Sequence, residues 1–175
     1  MRVSKISDGL FLSDLDSALN LRVLSSRNVT LIINVSGLQV SYPPLDSVQV
    51  LHVPIQDEPH APLSLYFDSV AEQIQQNQTG TTLVHCTAGR SRSPALIMAY
   101  LMRGTGLSLR QAYKLVLESR PFIRPNAGFW RQLMNYEKLL FTRNTMQMVR
   151  TSAGVLPEVI QEPEETGAAV YCVNV

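Results

Sequence analysis

Hydrophobic and polar residues follow one another in blocks that predict strands and helices in alternation. A short apolar run at 9–15 predicts a strand. Longer β-branched or apolar runs, typical of strands covered on both faces, lie at 29–36, 48–55 and 81–86. Apolar residues at helical spacing predict helices over 13–28, 65–78, 93–106, 108–120 and 126–141, the last two with Ser108 and Asn126 as their N-caps. Strands that alternate with helices, followed by a run of helices, predict an α/β fold with a central, mostly parallel sheet flanked by helices.

The periodic pattern decays after about residue 143, which divides the chain into two parts. With 175 residues and 45% hydrophobic composition, the chain is long enough to form the core of one domain. We expect this domain over residues 1–145 and a C-terminal extension over 146–175. Because residues 151–175 contain Pro, Gly and four acidic residues without any Lys or Arg, we expect the extension to be an acidic and partly mobile tail.

Targeting and membrane segments are not predicted. The longest apolar run, at 95–102, is much shorter than the about 20 residues of a membrane-spanning helix, and no apolar signal stretch follows the first basic residues. The two cysteines, Cys86 and Cys172, are too few for a disulfide framework. We therefore expect a protein of the reducing cytoplasm, and also of the nucleus, in which Cys86 is a free thiol.

Charge is distributed unevenly along the chain. The net charge is only +1, which argues against a nucleic-acid partner. Residues 86–150, however, contain eleven Lys or Arg against two Asp or Glu, whereas residues 1–85 contain four against eight. We expect the basic segment to attract acidic phosphoprotein surfaces and the acidic tail to compete weakly for it.

The segment HCTAGRSRS, residues 85–93, joins a predicted strand to a predicted helix. Backbone N–H groups of such a loop point to one spot, where the helix dipole also favours an anion. Gly89 permits a tight backbone turn, and Arg92 offers a guanidinium that matches two phosphate oxygens. A sulfur at Cys86 would lie among those N–H groups, which favour the thiolate. The loop therefore predicts attack of a thiolate on phosphorus and a cysteinyl-phosphate intermediate.

Cleavage of a phosphate ester also requires an acid that protonates the leaving oxygen. Asp57 is our candidate, because it opens a loop after a predicted strand and parallel strands bring such loops to the same edge of the sheet. The adjacent Glu58 is a second carboxylate for this role. Ser93 is expected to donate a hydrogen bond to the sulfur in the second step, and His85 to orient the loop through backbone hydrogen bonds.

The loop resembles the signature of the cysteine-dependent protein phosphatases, and its His-Cys-x-x-Gly-x-x-Arg-Ser form resembles the small, atypical dual-specificity branch. The resemblance covers roughly residues 4–160 and extends to other segments of the chain: ISDGLFLSD, INVS, VPIQDEPHAPLSLYFD, AYLM, RPFIRPNAGFWRQL and LLFTRNTMQMV. It implies a protein tyrosine phosphatase-like fold, phosphorylated protein substrates, signalling kinases among them, and hydrolysis of phosphotyrosine, phosphoserine and phosphothreonine without a metal or another cofactor.

The resemblance also implies individual roles. Cys86 is expected to be the nucleophile, Asp57 the general acid, Arg92 the phosphate clamp and Ser93 the leaving-group helper. The backbone that would hold the phosphate runs through Thr87, Ala88, Gly89, Arg90, Ser91 and Arg92. Arg90 stands where the resemblance implies a small apolar residue, and this difference bears on the substrate preference at the rim of the pocket.

Other interpretations of the same residues stay open at this point. Cys86 alone would suit a buried structural cysteine, and the Cys-to-Arg spacing also occurs in sulfur-transfer and arsenate-reducing enzymes. A phosphate-binding pseudophosphatase or scaffold is the alternative outside enzymes. A metal phosphatase is disfavoured because the chain has three histidines and no carboxylate cluster at ligand spacing. Arg120 and Arg124 are expected to be surface or salt-bridge residues rather than substrate contacts.

Overall fold

The structure, a computed structural model, describes residues 2–159 and centres on a mixed sheet. In this part of the chain the sheet has five strands in the order β1-β2-β5-β3-β4. The β1–β2 pair is antiparallel, and the other three pairs are parallel. The predicted α/β class with a mostly parallel sheet is confirmed. The strands are β1 Val3–Ser7, β2 Leu10–Ser13, β3 Val29–Asn34, β4 Gln49–His52 and β5 Thr81–His85.

Six α-helices in the described range surround the sheet. They are α1 Leu15–Ala18, α2 Leu21–Ser26, α3 Phe67–Gln76 after a 3-10 turn at Leu63–Tyr66, α4 Arg92–Thr105, α5 Leu109–Ser119 and α6 Ala127–Phe141. The predicted caps are present: Ser108 accepts from the backbone N–H of Gln111, and Asn126 accepts from that of Phe129. No helix of residues 2–159 has the length and hydrophobicity to span a membrane.

The single helix predicted over 13–28 is wrong in one respect, because two short helices occupy this segment. Asp14 caps α1 through the backbone N–H of Ser17. Asn20 then accepts a hydrogen bond from the N–H of Val23 and starts α2. An Asn in the middle of a helical pattern competes with the helix for backbone hydrogen bonds, and here it begins a new helix.

The two faces of β3 are covered by different layers, as its unbroken apolar pattern predicts. Leu31 and Ile33 belong to the core shared with α3, α4, α5 and α6, whereas Ile32 packs with Ala18 of α1 and Leu24 of α2. The run at 48–55 was also predicted to be covered on both faces, which is wrong for its strand. β4 is at the edge of the sheet, and Val50 is 50% exposed.

An antiparallel hairpin of β6 Met146–Thr151 and β7 Gly154–Val159 follows α6 and lies within the segment expected to be a tail. Neither strand is predicted by the sequence pattern, which decays after about residue 143. The buried carboxylate of Glu137 on α6 accepts hydrogen bonds from the N–H and the hydroxyl of Thr145, 2.8 and 2.7 Å away, which fixes the start of the hairpin. The acidic tail after residue 159 and Cys172 lie outside the described residues.

Candidate active site

The loop between β5 and α4 places Cys86 at the carboxyl edge of the sheet. The side chain is 2% exposed, and its Sγ has two hydrogen-bonding neighbours. The backbone N–H of Gly89 donates to Sγ at 3.2 Å, and the hydroxyl of Ser93, on the first turn of α4, lies 3.1 Å from it. The N–H of Gly89 stabilises negative charge on the sulfur, and the hydroxyl of Ser93 does so as well when the sulfur is a thiolate, since the hydroxyl is then the donor.

Gly89 is required by two independent features of the loop. Its φ of +69° lies in the left-handed region, which L-residues with a side chain disfavour. A Cβ added here would also lie 2.5 Å from Nη2 of Arg120 and 2.8 Å from the carbonyl oxygen of Ser13. Since the second neighbour is backbone, it has little freedom to move. The close approach of these groups explains the glycine predicted from the sequence to turn the loop.

Backbone N–H groups of the loop are left without an acceptor among residues 2–159, apart from the one that Gly89 donates to Sγ. Consecutive N–H groups before a helix form a concave site for an anion, and the start of α4 adds its dipole. The residues that supply these free donors are Thr87, Ala88, Arg90, Ser91 and Arg92.

Arg92 is held rigidly behind this loop, where it is 8% exposed. Its Nη1 donates to the carbonyl oxygens of Ser36 at 2.7 Å and Ile55 at 3.1 Å, and its Nη2 donates to the hydroxyl of Thr87 at 3.2 Å. Its buried Nε has no hydrogen-bond partner in the described part of the chain. A buried donor without an acceptor is costly, so this N–H favours a bound oxyanion.

Asp57 is tied to the same loop, although it is an exposed residue. The hydroxyl of Ser91 donates to its Oδ1 at 2.7 Å, and Nδ2 of Asn126 donates to the same oxygen at 3.0 Å. Oδ2 has no hydrogen-bond partner within residues 2–159. Glu58, the second candidate acid, lies 3.0 Å from Nε2 of His60 instead. The geometry therefore separates the two carboxylates and favours Asp57.

His85 is fully buried and is hydrogen-bonded through both ring nitrogens. Nδ1 lies 3.1 Å from the carbonyl oxygen of Cys86, and Nε2 lies 2.7 Å from the hydroxyl of Tyr42. Burial lowers the pKa of His85, against the opposing effects of the Cys86 hydrogen bond and of Asp14. The neutral tautomer that satisfies both contacts donates from Nδ1 and accepts at Nε2, which fixes the backbone at Cys86.

Of the two arginines near the loop, Arg90 is exposed as expected for a rim residue, whereas Arg120 has an unexpected environment. Arg90 is exposed, and its Nε donates to the carbonyl oxygen of Phe122 at 3.2 Å, so its side chain forms part of the rim. Arg120, expected at the surface or in a salt bridge, is only 1% exposed. Its Nε donates to the carbonyl oxygen of Gly89 at 2.7 Å and its Nη2 to that of Ala88 at 3.3 Å. Arg120 therefore supports the loop from behind.

Sequence reasoning missed Tyr42 entirely, missed the contact of Asn126 with Asp57, and misplaced Arg120. Asn126 gave a signal only as a helix cap. Its Oδ1 does cap α6, while its Nδ2 holds Asp57. The sequence around Tyr42 and Arg120 gives no sign that they differ from ordinary surface residues. Their hydrogen-bond partners lie 43 and 31 positions away in the chain, so a local pattern does not reveal them.

The chain is similar in sequence to known proteins over most of its length. Residues 10–139 match the family model "Dual specificity phosphatase, catalytic domain". Human dual specificity protein phosphatase 14 is 42% identical over 162 residues, which are 91% of this chain and 81% of that protein. Mouse dual specificity protein phosphatase 18 is 44% identical over 162 residues, 91% of this chain and 86% of that protein.

A solved structure leads to the same family. The crystal structure of human DUSP28 has a TM-score of 0.75 and 37% sequence identity with this chain, and the alignment covers 79% of this chain and 94% of that one. The match to the family model extends over more than half of the chain and includes the whole Cys86 loop and Asp57. On this evidence the chain belongs to the dual specificity phosphatases and contains their catalytic domain.

Proposed function

We propose that this protein is a metal-independent protein phosphatase that hydrolyses phosphotyrosine, phosphoserine and phosphothreonine through a cysteinyl-phosphate intermediate. The observation that carries the proposal is the environment of Cys86 Sγ, which receives a hydrogen bond from the N–H of Gly89 and lies 3.1 Å from the hydroxyl of Ser93. Within residues 2–159, the sulfur stands at the start of a loop whose N–H groups lack an acceptor, and Nε of Arg92 in the same segment has no hydrogen-bond partner.

In the first step the loop N–H groups and Arg92 bind the phosphate oxygens and direct the phosphorus toward Cys86. The thiolate attacks phosphorus, so that an S–P bond forms while the P–O bond to the leaving group breaks. Asp57 gives its proton from Oδ2 to the leaving oxygen. The two hydrogen bonds that Oδ1 accepts from Ser91 and Asn126 orient the carboxyl group for this transfer.

In the second step a water molecule attacks the phosphorus of the intermediate and transfers a proton to Asp57. The S–P bond breaks, inorganic phosphate leaves, and the sulfur becomes a thiolate again. The hydroxyl of Ser93, 3.1 Å from Sγ, donates a hydrogen bond to the departing sulfur. No step in this sequence uses a metal ion, and the charge that develops on the phosphoryl oxygens is stabilised by N–H groups fixed in advance.

We extend the proposal to phosphorylated signalling proteins as substrates, kinases among them, and to the cytoplasm and nucleus as compartments. A thiolate nucleophile supports a reducing compartment, because it is readily oxidised elsewhere. The exposed Arg90 on the rim supports acidic phosphoprotein surfaces as partners rather than nucleic acid, since the net charge of the chain is only +1.

The proposal is tested by phosphate release from an aryl phosphate between pH 5 and 8 in EDTA. We expect wild type to turn over and Cys86→Ser to be inactive. Asp57→Asn should lose about 100-fold in kcat/KM, within the range of a lost general acid. Glu58→Gln is the matched control, because it removes the neighbouring carboxylate, which is paired with His60, and should stay close to wild type.

The same assay distinguishes the proposal from the alternative of a phosphate-binding scaffold. A scaffold would bind a phosphopeptide and release no phosphate from it or from the aryl ester. A wild-type protein that behaves in this way would refute the proposal, and so would full activity in Cys86→Ser.

A further inference from the structure

A cavity of about 440 Å³ lies between the β6–β7 hairpin and the start of α6. Its apolar lining includes Tyr113, Trp130, Val155 and Leu156. The rings of Tyr113 and Trp130 meet edge to face, with centroids 5.1 Å apart, which fixes this wall. The volume falls within the range of about 300–1,000 Å³ that is typical of ligand pockets.

Two residues of the cavity lining, Arg124 and Asn126, form hydrogen bonds with residues of the catalytic site. Asn126 donates from Nδ2 to Asp57 and from its backbone N–H to the hydroxyl of Ser91, at 3.0 and 3.1 Å. Arg124 donates from its backbone N–H to the carbonyl oxygen of Arg90 at 2.6 Å. These contacts make the lining of the cavity a direct neighbour of the Cys86 loop and of Asp57, close enough to meet residues that flank a phosphorylated residue bound in the loop.

The charges around the cavity select the chemistry of those neighbouring residues. No acidic side chain is among the described residues that line it. The exposed side chain of Arg124 forms no hydrogen bond or ion pair with residues 2–159. Arg90, on the adjacent rim, adds a second exposed cation. An occupant that carries an acidic group near Arg124 and an apolar group against Trp130 would satisfy both parts of the surface.

We propose that this cavity is a substrate subsite that receives residues flanking the phosphorylated residue, one of them apolar and one acidic. The inference rests on the proposed phosphatase function and adds a preference to it. The hairpin that was absent from the sequence prediction supplies one wall, so its role is to complete the substrate-binding surface.

The test uses the full-length protein and three phosphotyrosine peptides of equal length with symmetric flanks. One peptide carries Glu and Leu on each side of the phosphotyrosine, the second carries Gln and Leu, and the third carries Glu and Ser. We expect kcat/KM for the first peptide to exceed that for the second about fivefold, the upper range of a partly exposed ion pair. The kcat/KM for the first peptide should also exceed the kcat/KM for the third peptide about fivefold, as expected for half burial of a Leu side chain.

Variants assign each preference to its part of the cavity. Arg124→Gln should reduce the Glu-over-Gln preference to less than twofold, and Arg22→Gln, an equal change of charge on exposed α2, should retain it. Ala153→Phe, which places a ring in the cavity from the exposed hairpin turn, should abolish the Leu-over-Ser preference. The Glu-over-Gln preference should also shrink in 1 M salt, where the Debye length is about 3 Å.

Equal kcat/KM for the three peptides, or an Arg124→Gln variant with the wild-type preference, would overturn the inference. Turnover of an aryl phosphate, measured alongside, separates this failure from failure of the proposed function. If wild type released no phosphate from any substrate, the dissociation constants of the three peptides would test the subsite in the same way. Dissociation constants in the same order would then support it, and equal constants would refute it.

Discussion

Replacement of Arg120 by Lys tests whether the catalytic loop depends on a buried guanidinium. Arg120 donates to the carbonyl oxygens of Gly89 and Ala88 and, on its other side, to the hydroxyl of Ser4 and the carbonyl oxygen of Arg2. These acceptors lie on the loop and on the N-terminal strand region, so the planar fork joins two separate segments. A single ammonium group at the end of Lys cannot point in both directions.

The magnitude follows from the hydrogen bonds that Lys cannot make. A hydrogen bond to a charged group contributes about 1.5–3 kcal/mol, so the loss of two would cost about 3–6 kcal/mol without relaxation. Partial retention of the charge and entry of water reduce this cost, and we expect about 3 kcal/mol. Burial lowers the pKa of Arg120, while the charges of Asp14 and Cys86 act against this effect. For a domain of this size the loss corresponds to a Tm lower by about 6–12 °C.

The assay combines thermal unfolding with kcat for an aryl phosphate at a temperature at which both proteins are fully folded. We expect kcat to fall at least about tenfold, because displacement of the loop carbonyls moves the N–H groups and Sγ out of line with the phosphate. Arg22→Lys, the same change at an exposed position of α2, should leave Tm and kcat unchanged. If Arg120→Lys kept wild-type Tm and kcat, the supporting role of the guanidinium would be refuted.

Three further predictions concern the loop and its neighbours. Gly89→Ala should lower the free energy of unfolding by at least about 1 kcal/mol in urea titration, because φ is +69° and the Cβ would meet backbone; wild-type stability would contradict this. Ser93→Ala should slow the second step, so that a burst of leaving group precedes a lower steady rate in stopped-flow measurements; a single slow phase would contradict it. Burial lowers the pKa of His85 in the folded state. Below about pH 6.5 the imidazole therefore takes up a proton more readily in the unfolded state than in the folded state. The free energy of unfolding should therefore fall as pH decreases below this value, by at most about 1.4 kcal/mol per pH unit, and His85→Gln should remove this contribution.

The parts of the fold that the sequence predicted correctly are those in which local pattern and tertiary environment agree. β3 is unbroken and apolar because both of its faces are covered, and α4 is apolar on all sides because it is buried between the sheet and three helices. The caps at Ser108 and Asn126 are local hydrogen bonds that sequence spacing specifies. In each case the cause acts within a few residues of its effect.

The errors arose where long-range contacts decide the structure. β6 and β7 are short and only partly buried, and β7 contains Pro157, so neither has a strand pattern of its own. Their position depends on Glu137, which holds Thr145 from the neighbouring helix. β4 has a buried-type composition but is at the edge of the sheet, which composition alone cannot reveal. A sequence pattern describes how apolar an element is and leaves open which neighbour covers it.

The candidate site shows the same division between local and distant causes. Cys86, Gly89, Arg92 and Ser93 lie within eight consecutive residues, and the chemistry of the loop could be predicted because the strand before it and the helix after it were evident. The sequence favoured Asp57 over the adjacent Glu58 because of its place in a loop after a strand. It gave no sign of the contact with Asn126, 69 residues away in the chain, whose side chain caps α6 and donates to Oδ1 of Asp57 at the same time.

The structure also changes the meaning of the basic segment at 86–150. Its charge suggested a broad positive surface, but several of its cations are already engaged. Arg92 and Arg120 are buried and bound to backbone carbonyls, and Arg103 is paired with acidic side chains of α3. Next to the catalytic loop, exposed positive charge comes from Arg90 and Arg124. Attraction of acidic substrates should therefore depend on these two side chains near the cavity. The position of the two charges then matters more than the net charge of the segment.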